Sequence, residues 1–112
     1  MKRTILLPQA RADLRAEILY YRKHASKPIA NQLAVSADNA LQHLQQNPGM
    51  GSPRIGQLLD IHGLRSWRVS GFPLIWFYFE RENCLDVVRL LGERQDVLSI
   101  LNAPHTETRA ES

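Results

Sequence analysis

The chain has 112 residues, of which 44% are apolar and 22% charged, ordinary values for one soluble globular domain that can pack a core. No apolar run approaches the roughly 20 residues of a membrane span, and Ile5-Leu6-Leu7 behind the basic start is too short for a signal peptide. The net charge of +3 sits in the first half: residues 1–59 hold eight Lys/Arg against three acids, while residues 60–95 hold five of each. A basic half faces either solvent or an acidic partner.

In chain order, "RTILL" reads as a short first strand that Pro8 ends. Residues 9–24 carry Ala10, Leu14, Ile18 and Tyr21 at helical spacing, with Arg11, Arg15 and Arg22 off that stripe. Ser26 is a candidate N-cap for a second helix with Pro28 in its first turn. Ile29, Leu33, Ala37, Ala40, Leu41 and Leu44 form its apolar stripe, and "NPGMGSP" (47–53) stops it. The short connection predicts an antiparallel helix hairpin. A mixed loop follows.

The period then changes to two. "LRSWRV" (64–69) alternates Arg65, Trp67 and Val69 with Leu64, Ser66 and Arg68. "SGFP" is a turn, and "LIWFYFE" (74–80) is apolar on both faces, which predicts a central strand. "RENC" makes the next turn, and "LDVVRLL" (85–91) is a strand with Leu85, Val87, Arg89 and Leu91 on one face. "DVLSIL" (96–101) reads as a short helix capped by Asp96, and residues 102–112 as a mobile tail after a single domain of residues 1–101. The order β-α-α-β-β-β predicts an α+β fold, an antiparallel sheet of about four strands packed against an α-helical hairpin, with a short C-terminal helix. The first strand must join the meander, because its backbone groups need partners. The sheet face away from the hairpin is then partly bare and available to a ligand or partner.

Cys84 is the one cysteine, which excludes an internal disulfide and fits a cytoplasmic location. The four histidines lie too far apart for metal-ligand spacing. The pattern therefore calls for no metal and no cofactor.

The order of "ARADLRAEILYY", "NPGMGSPR", "GLRSWRV" and "DVVRLLGERQDVLSIL" resembles the RelE/ParE superfamily of type II toxins over about residues 4–101. The resemblance implies a fold, a cognate ParD-like antitoxin in a toxin–antitoxin hetero-oligomer, and a divided function. RelE-like members cut mRNA on the ribosome. ParE-like members engage DNA gyrase and need no nuclease centre. Cutting RNA without a metal needs groups that activate the 2′-OH, hold the phosphate and protonate the leaving oxygen. By the resemblance, those positions hold Leu64, Ser66, Pro73 and about Ile100 here, and Arg94 alone is retained; Gly92 and Gln95 stand where many relatives carry histidine and arginine. This points to the ParE-like branch, with no catalytic residue, no membrane contact and no sequence-specific nucleic-acid binding by the toxin alone. The ribosome-dependent ribonuclease remains the alternative.

Arg65, Trp67, Arg68, Arg89 and Arg94 are the candidate target- or partner-binding residues, and Arg11, Arg15 and Arg22 the candidate antitoxin-facing basic helix. Each has a plainer reading. Arg89, if buried, needs a carboxylate. Arg94 can be a solvated strand end or a partner of Glu93 or Asp96. Arg65 and Arg68 lie on opposite strand faces, so at most one can share a patch with Arg94. Trp67 is either core or a partner-facing anchor.

Overall fold

The computed structural model describes residues 2–102. The elements are β1 (Arg3–Leu6), α1 (Pro8–His24), α2 (Lys27–Gln46), α3 (Arg54–Leu59), β2 (Leu64–Arg68), β3 (Leu74–Glu80), β4 (Cys84–Gly92) and α4 (Val97–Asn102), with a 3₁₀ turn at Pro48–Met50. Pro8 opens α1, where a missing N–H costs nothing. The Ser26 hydroxyl accepts from the Ile29 amide at 3.2 Å and caps α2 as its position predicts. Asp96 does the same for α4 through the Ser99 amide, also at 3.2 Å. Asn102 closes α4 instead of starting a tail, and the rest of the expected tail lies outside the described residues.

The sheet order is β1-β4-β3-β2, with β3 in the interior as expected. β2, β3 and β4 form the antiparallel meander, whereas β1 pairs with β4 in parallel, from Arg3 opposite Cys84 to Leu6 opposite Val87. The sheet is therefore mixed. The helix hairpin intervenes between β1 and the meander and returns the chain to the opposite end, so an antiparallel β1 is not required.

Two apolar clusters sandwich the sheet. The larger joins Ala10, Leu33, Ala37, Leu41 and Leu44 of the hairpin to Trp76, Tyr78, Leu85, Val87 and Leu90. The smaller joins Leu64, Phe77, Leu91 and Leu101, with Ile55, Leu59, Val88 and Ile100 packed around them. The second face is thus covered by α3 and α4, and the expectation of a partly bare face does not hold there. The sequence shows only a mixed loop at α3 because six residues with an internal glycine carry too little periodicity. Gly56 is needed: a Cβ there would lie 2.6 Å from the Leu64 carbonyl oxygen.

The strict alternation expected along β4 also fails. Phe77 opposes Arg89 while Tyr78 opposes Val87, which leaves Val88 as an extra residue. Such a bulge lets Val87 and Leu90 both face the hairpin and moves Leu91 to the second cluster.

The buried polar groups of β3 are all used to hold α2 and the turn after it. Trp76 Nε1 donates to the Ala37 carbonyl at 3.1 Å. The Tyr78 hydroxyl donates to Pro48 O at 2.7 Å and accepts from the Gly51 amide at 3.0 Å. Burial pushes the Tyr78 phenol above its ordinary range, partly offset by that amide and by Arg65, so it stays protonated as a donor. A Cβ on Gly51 would fall 2.7 Å from Tyr78 Cε1. Gly51→Ala should therefore destabilise the protein by about 1–3 kcal/mol, read as a lower denaturant midpoint with an unchanged slope.

Candidate functional site

The exposed functional side chains lie around α1 and the end of β4, and the packing of β4 explains why. β1 stops at Leu6, opposite Val87, so the outer edge of β4 has no strand partner beyond that point. Two side chains close it. Asp13 Oδ2, on α1, accepts from the Leu90 amide at 3.0 Å. Gln95 Oε1 accepts from the Gly92 amide at 2.5 Å. Unpaired edge groups would otherwise invite a foreign strand.

Asp13 also receives Arg89 in two parallel bonds, Nε at 2.8 Å and Nη2 at 3.1 Å. With side chains only 19% and 11% exposed, this fork is the carboxylate partner that a half-buried Arg89 requires. Arg89 is thereby committed to joining α1 to β4.

The other candidates on the β strands are committed too. Arg65 Nη1 donates to Gly51 O at 2.7 Å and Gly49 O at 3.3 Å, which ties β2 to the 3₁₀ turn. Trp67, half-buried against the hairpin core, stacks on His43 with ring centres 5.1 Å apart. Arg68 forms an ion pair with Glu93 across the end of the meander. Arg65 and Arg68 do point to opposite faces, as the alternation predicts. β2 is no open edge either: Ser52 and Ser66 exchange two backbone hydrogen bonds at 2.9 Å.

Arg94 differs. Its guanidinium lies 4.7 Å from the centre of the Tyr20 ring, and it pairs with neither Glu93 nor Asp96. Tyr20 in turn touches the rings of Tyr21 and His24, at 5.5 and 4.6 Å. Sequence reasoning missed Tyr20 as part of this group; the only signal was its place three and seven residues after Glu17 and Asp13, on one helix face. Glu17 sits between them. One of its oxygens is buried and has no hydrogen-bond partner among the described residues. Burial raises its pKa, Arg94 pulls it down and Asp13 raises it again.

On another side of α1, Arg11, Leu14, Arg15, Ile18 and Leu19 line a shallow groove of about 280 Å³. Arg11 Nη2 donates to Leu6 O at 3.2 Å, so the groove runs up to β1. Arg22 is exposed in the last turn of the same helix. The positions that would hold nuclease groups do not converge on a cleft. Leu64 is 2% exposed within the second cluster, and Ile100 packs against that cluster. Among the described residues no three His, Cys, Asp or Glu side chains are grouped to hold a metal, and no helix is long and apolar enough to cross a membrane.

A family model described as the ParE toxin of the type II toxin–antitoxin system parDE matches residues 4–97. A solved structure titled as a chromosomal ParDE toxin–antitoxin system from P. aeruginosa superimposes with a TM-score of 0.70 at 20% identity. The match covers 82% of this chain and 96% of that one, a likeness of fold. No protein with a curated description matches the chain.

Asp13→Ala should cost about 3 kcal/mol, the lower end for breaking a buried pair, because it strands Arg89 and the Leu90 amide together; thermal or denaturant unfolding measures it. Glu17 generates a pH dependence. Its ordinary value is 4.5 and its folded value is higher, so folding takes up a proton between the two. Stability from this group is full below 4.5 and is lost as pH rises through the folded value. Glu17→Gln should flatten the denaturant midpoint over that window and exceed the parent at pH 7.

Proposed function

The chain belongs to the ParE toxin family of type II toxin–antitoxin systems, and from that premise we propose that it acts in the cytoplasm by binding DNA gyrase and stalling it, without chemistry of its own. It is the toxin component of such a system, and its partner in the system is an antitoxin. Leu64 is the observation that carries the binding reading. It stands where the resemblance requires a lysine of the nuclease branch, and it is sealed under α3 in an apolar cluster. A charge there would be buried without a partner. Ser66 and Pro73 supply no cation, so Arg94 is left without companions to activate a 2′-OH or protonate a leaving group.

The antitoxin is proposed to be ParD-like and to bind as an extended, acidic, amphipathic segment. The α1 groove supports this: Leu14, Ile18 and Leu19 offer an apolar floor between Arg11 and Arg15. The β1 edge lies beside it, while the β2 and β4 edges are closed by Ser52, Asp13 and Gln95. A partner strand can therefore add along β1 and continue into a helix on the groove. Ordering such a segment costs free energy, so the contact must be large.

Expression without the antitoxin should induce the SOS response and filamentation while translation continues. Arrest of translation first, with site-specific mRNA cuts that vanish in Arg94→Ala, would overturn this reading in favour of the ribonuclease. On the binding reading, any cutting should lack the roughly 10²–10⁴-fold contribution of each general acid or base.

A further inference from the structure

We infer that Arg94, seated on Tyr20, is the anchor that takes a carboxylate of the toxin's protein target, on the flank of α1 opposite to the flank that faces the antitoxin. The inference rests on the binding reading above and adds the residue, the chemistry and the side of the molecule.

Elimination supports the choice of residue. Arg65, Arg68 and Arg89 already have partners, in Gly49 and Gly51, in Glu93 and in Asp13. Trp67 has one face against His43. Among the described residues, no hydrogen bond or ion pair reaches the Arg94 guanidinium, yet it rests over the Tyr20 ring. An exposed arginine with free donors and restrained orientation loses little entropy on binding. Arginine and tyrosine are also the residue types that dominate interface energetics.

The neighbourhood supports the choice of ligand. Glu93 and Asp96 flank Arg94 in sequence and Glu17 acts on it through space, so no basic track runs from it. A nucleic acid gains its affinity by neutralising many phosphates. A single planar guanidinium whose donors are unpaired among the described residues matches one planar carboxylate, held by two parallel hydrogen bonds.

The helix geometry separates the two partners. At roughly 100° per residue, Asp13, Glu17 and Tyr20 fall on one side of the buried stripe of α1. Arg11, Arg15 and Arg22 fall on the other, about half a turn away. An antitoxin helix in the Arg11–Leu19 groove leaves Tyr20 and Arg94 uncovered.

The test begins with an NMR titration of the full chain with hexaglutamate and, separately, with a short DNA duplex. The Arg94 Nε–H and Tyr20 resonances should shift with the peptide in the parent, and the Tyr20 shift should disappear in Arg94→Lys, which keeps the charge but not the fork. No shift at Arg94, or a shift with the duplex alone, overturns the inference. Affinities for gyrase and for the cognate antitoxin are then measured for Arg94→Ala and Arg94→Lys. Target binding should weaken roughly ten- to a hundredfold, with antitoxin binding unchanged and the chain still folded. Equal target binding by parent and variant, or a parallel loss of antitoxin binding, also overturns it. If the parent does not bind gyrase, yet the peptide shift and growth arrest both depend on Arg94, the gyrase reading fails and the carboxylate anchor stands.

Discussion

A strand that is apolar on both faces has to be covered on both faces, and β3 imposes that constraint on this molecule. Trp76 and Tyr78 point one way and Phe77 the other, and all three are fully buried. At about 25 cal/mol per Å² of apolar surface, three large aromatic rings are worth several kcal/mol, a sizeable part of a domain's net stability. The helix hairpin satisfies one face. The other requires α3, α4 and the apolar residues between them. Leu64 and Ile100 are part of that cover.

The aromatic residues that build the core also carry polar atoms, and each finds a partner in α2 or the turn behind it. Trp76 reaches Ala37, and Tyr78 reaches Pro48 and Gly51. Buried polar groups cost free energy unless they are bonded, so these contacts set the height of α2 above the sheet as well as holding it. Arg65 repeats the arrangement from the rim, with its guanidinium on two carbonyls of the same turn. The turn that looked like a simple helix stop is the joint between the helical layer and β2.

The arginines divide by what their surroundings leave them to do. Arg89 is drawn into the gap beyond β1, where Asp13 accepts both its fork and a backbone amide. Arg94, five residues later, emerges where the strand has ended and finds an aromatic ring instead of a carboxylate. The same residue type is structural at one position and free at the other because β1 is four residues long and β4 is nine. Glu17, caught between the two, has a buried oxygen without a donor among the described residues, a local cost of the kind that binding surfaces tolerate.

The sequence by itself determined every element but α3 and the 3₁₀ turn. Apolar spacing marked both long helices, Ser26 and Asp96 marked the starts of α2 and α4, and the two-sided apolar run marked β3 as interior. That Leu64 and Ser66 bear no charge was equally legible, because a side chain's type needs no coordinates to be recognised. What only the tertiary structure decided is which side chain meets which. Asp13 and Arg89 are 76 positions apart, and no local pattern announces their fork. The parallel entry of β1, the bulge at Val88, the cover provided by α3 and the seating of Arg94 on Tyr20 are likewise set by packing across the chain. Periodicity reports the environment of a segment one turn or one pleat at a time. The commitments of an arginine depend on distances through space between segments, and those exist only once the sheet and helices have closed around β3.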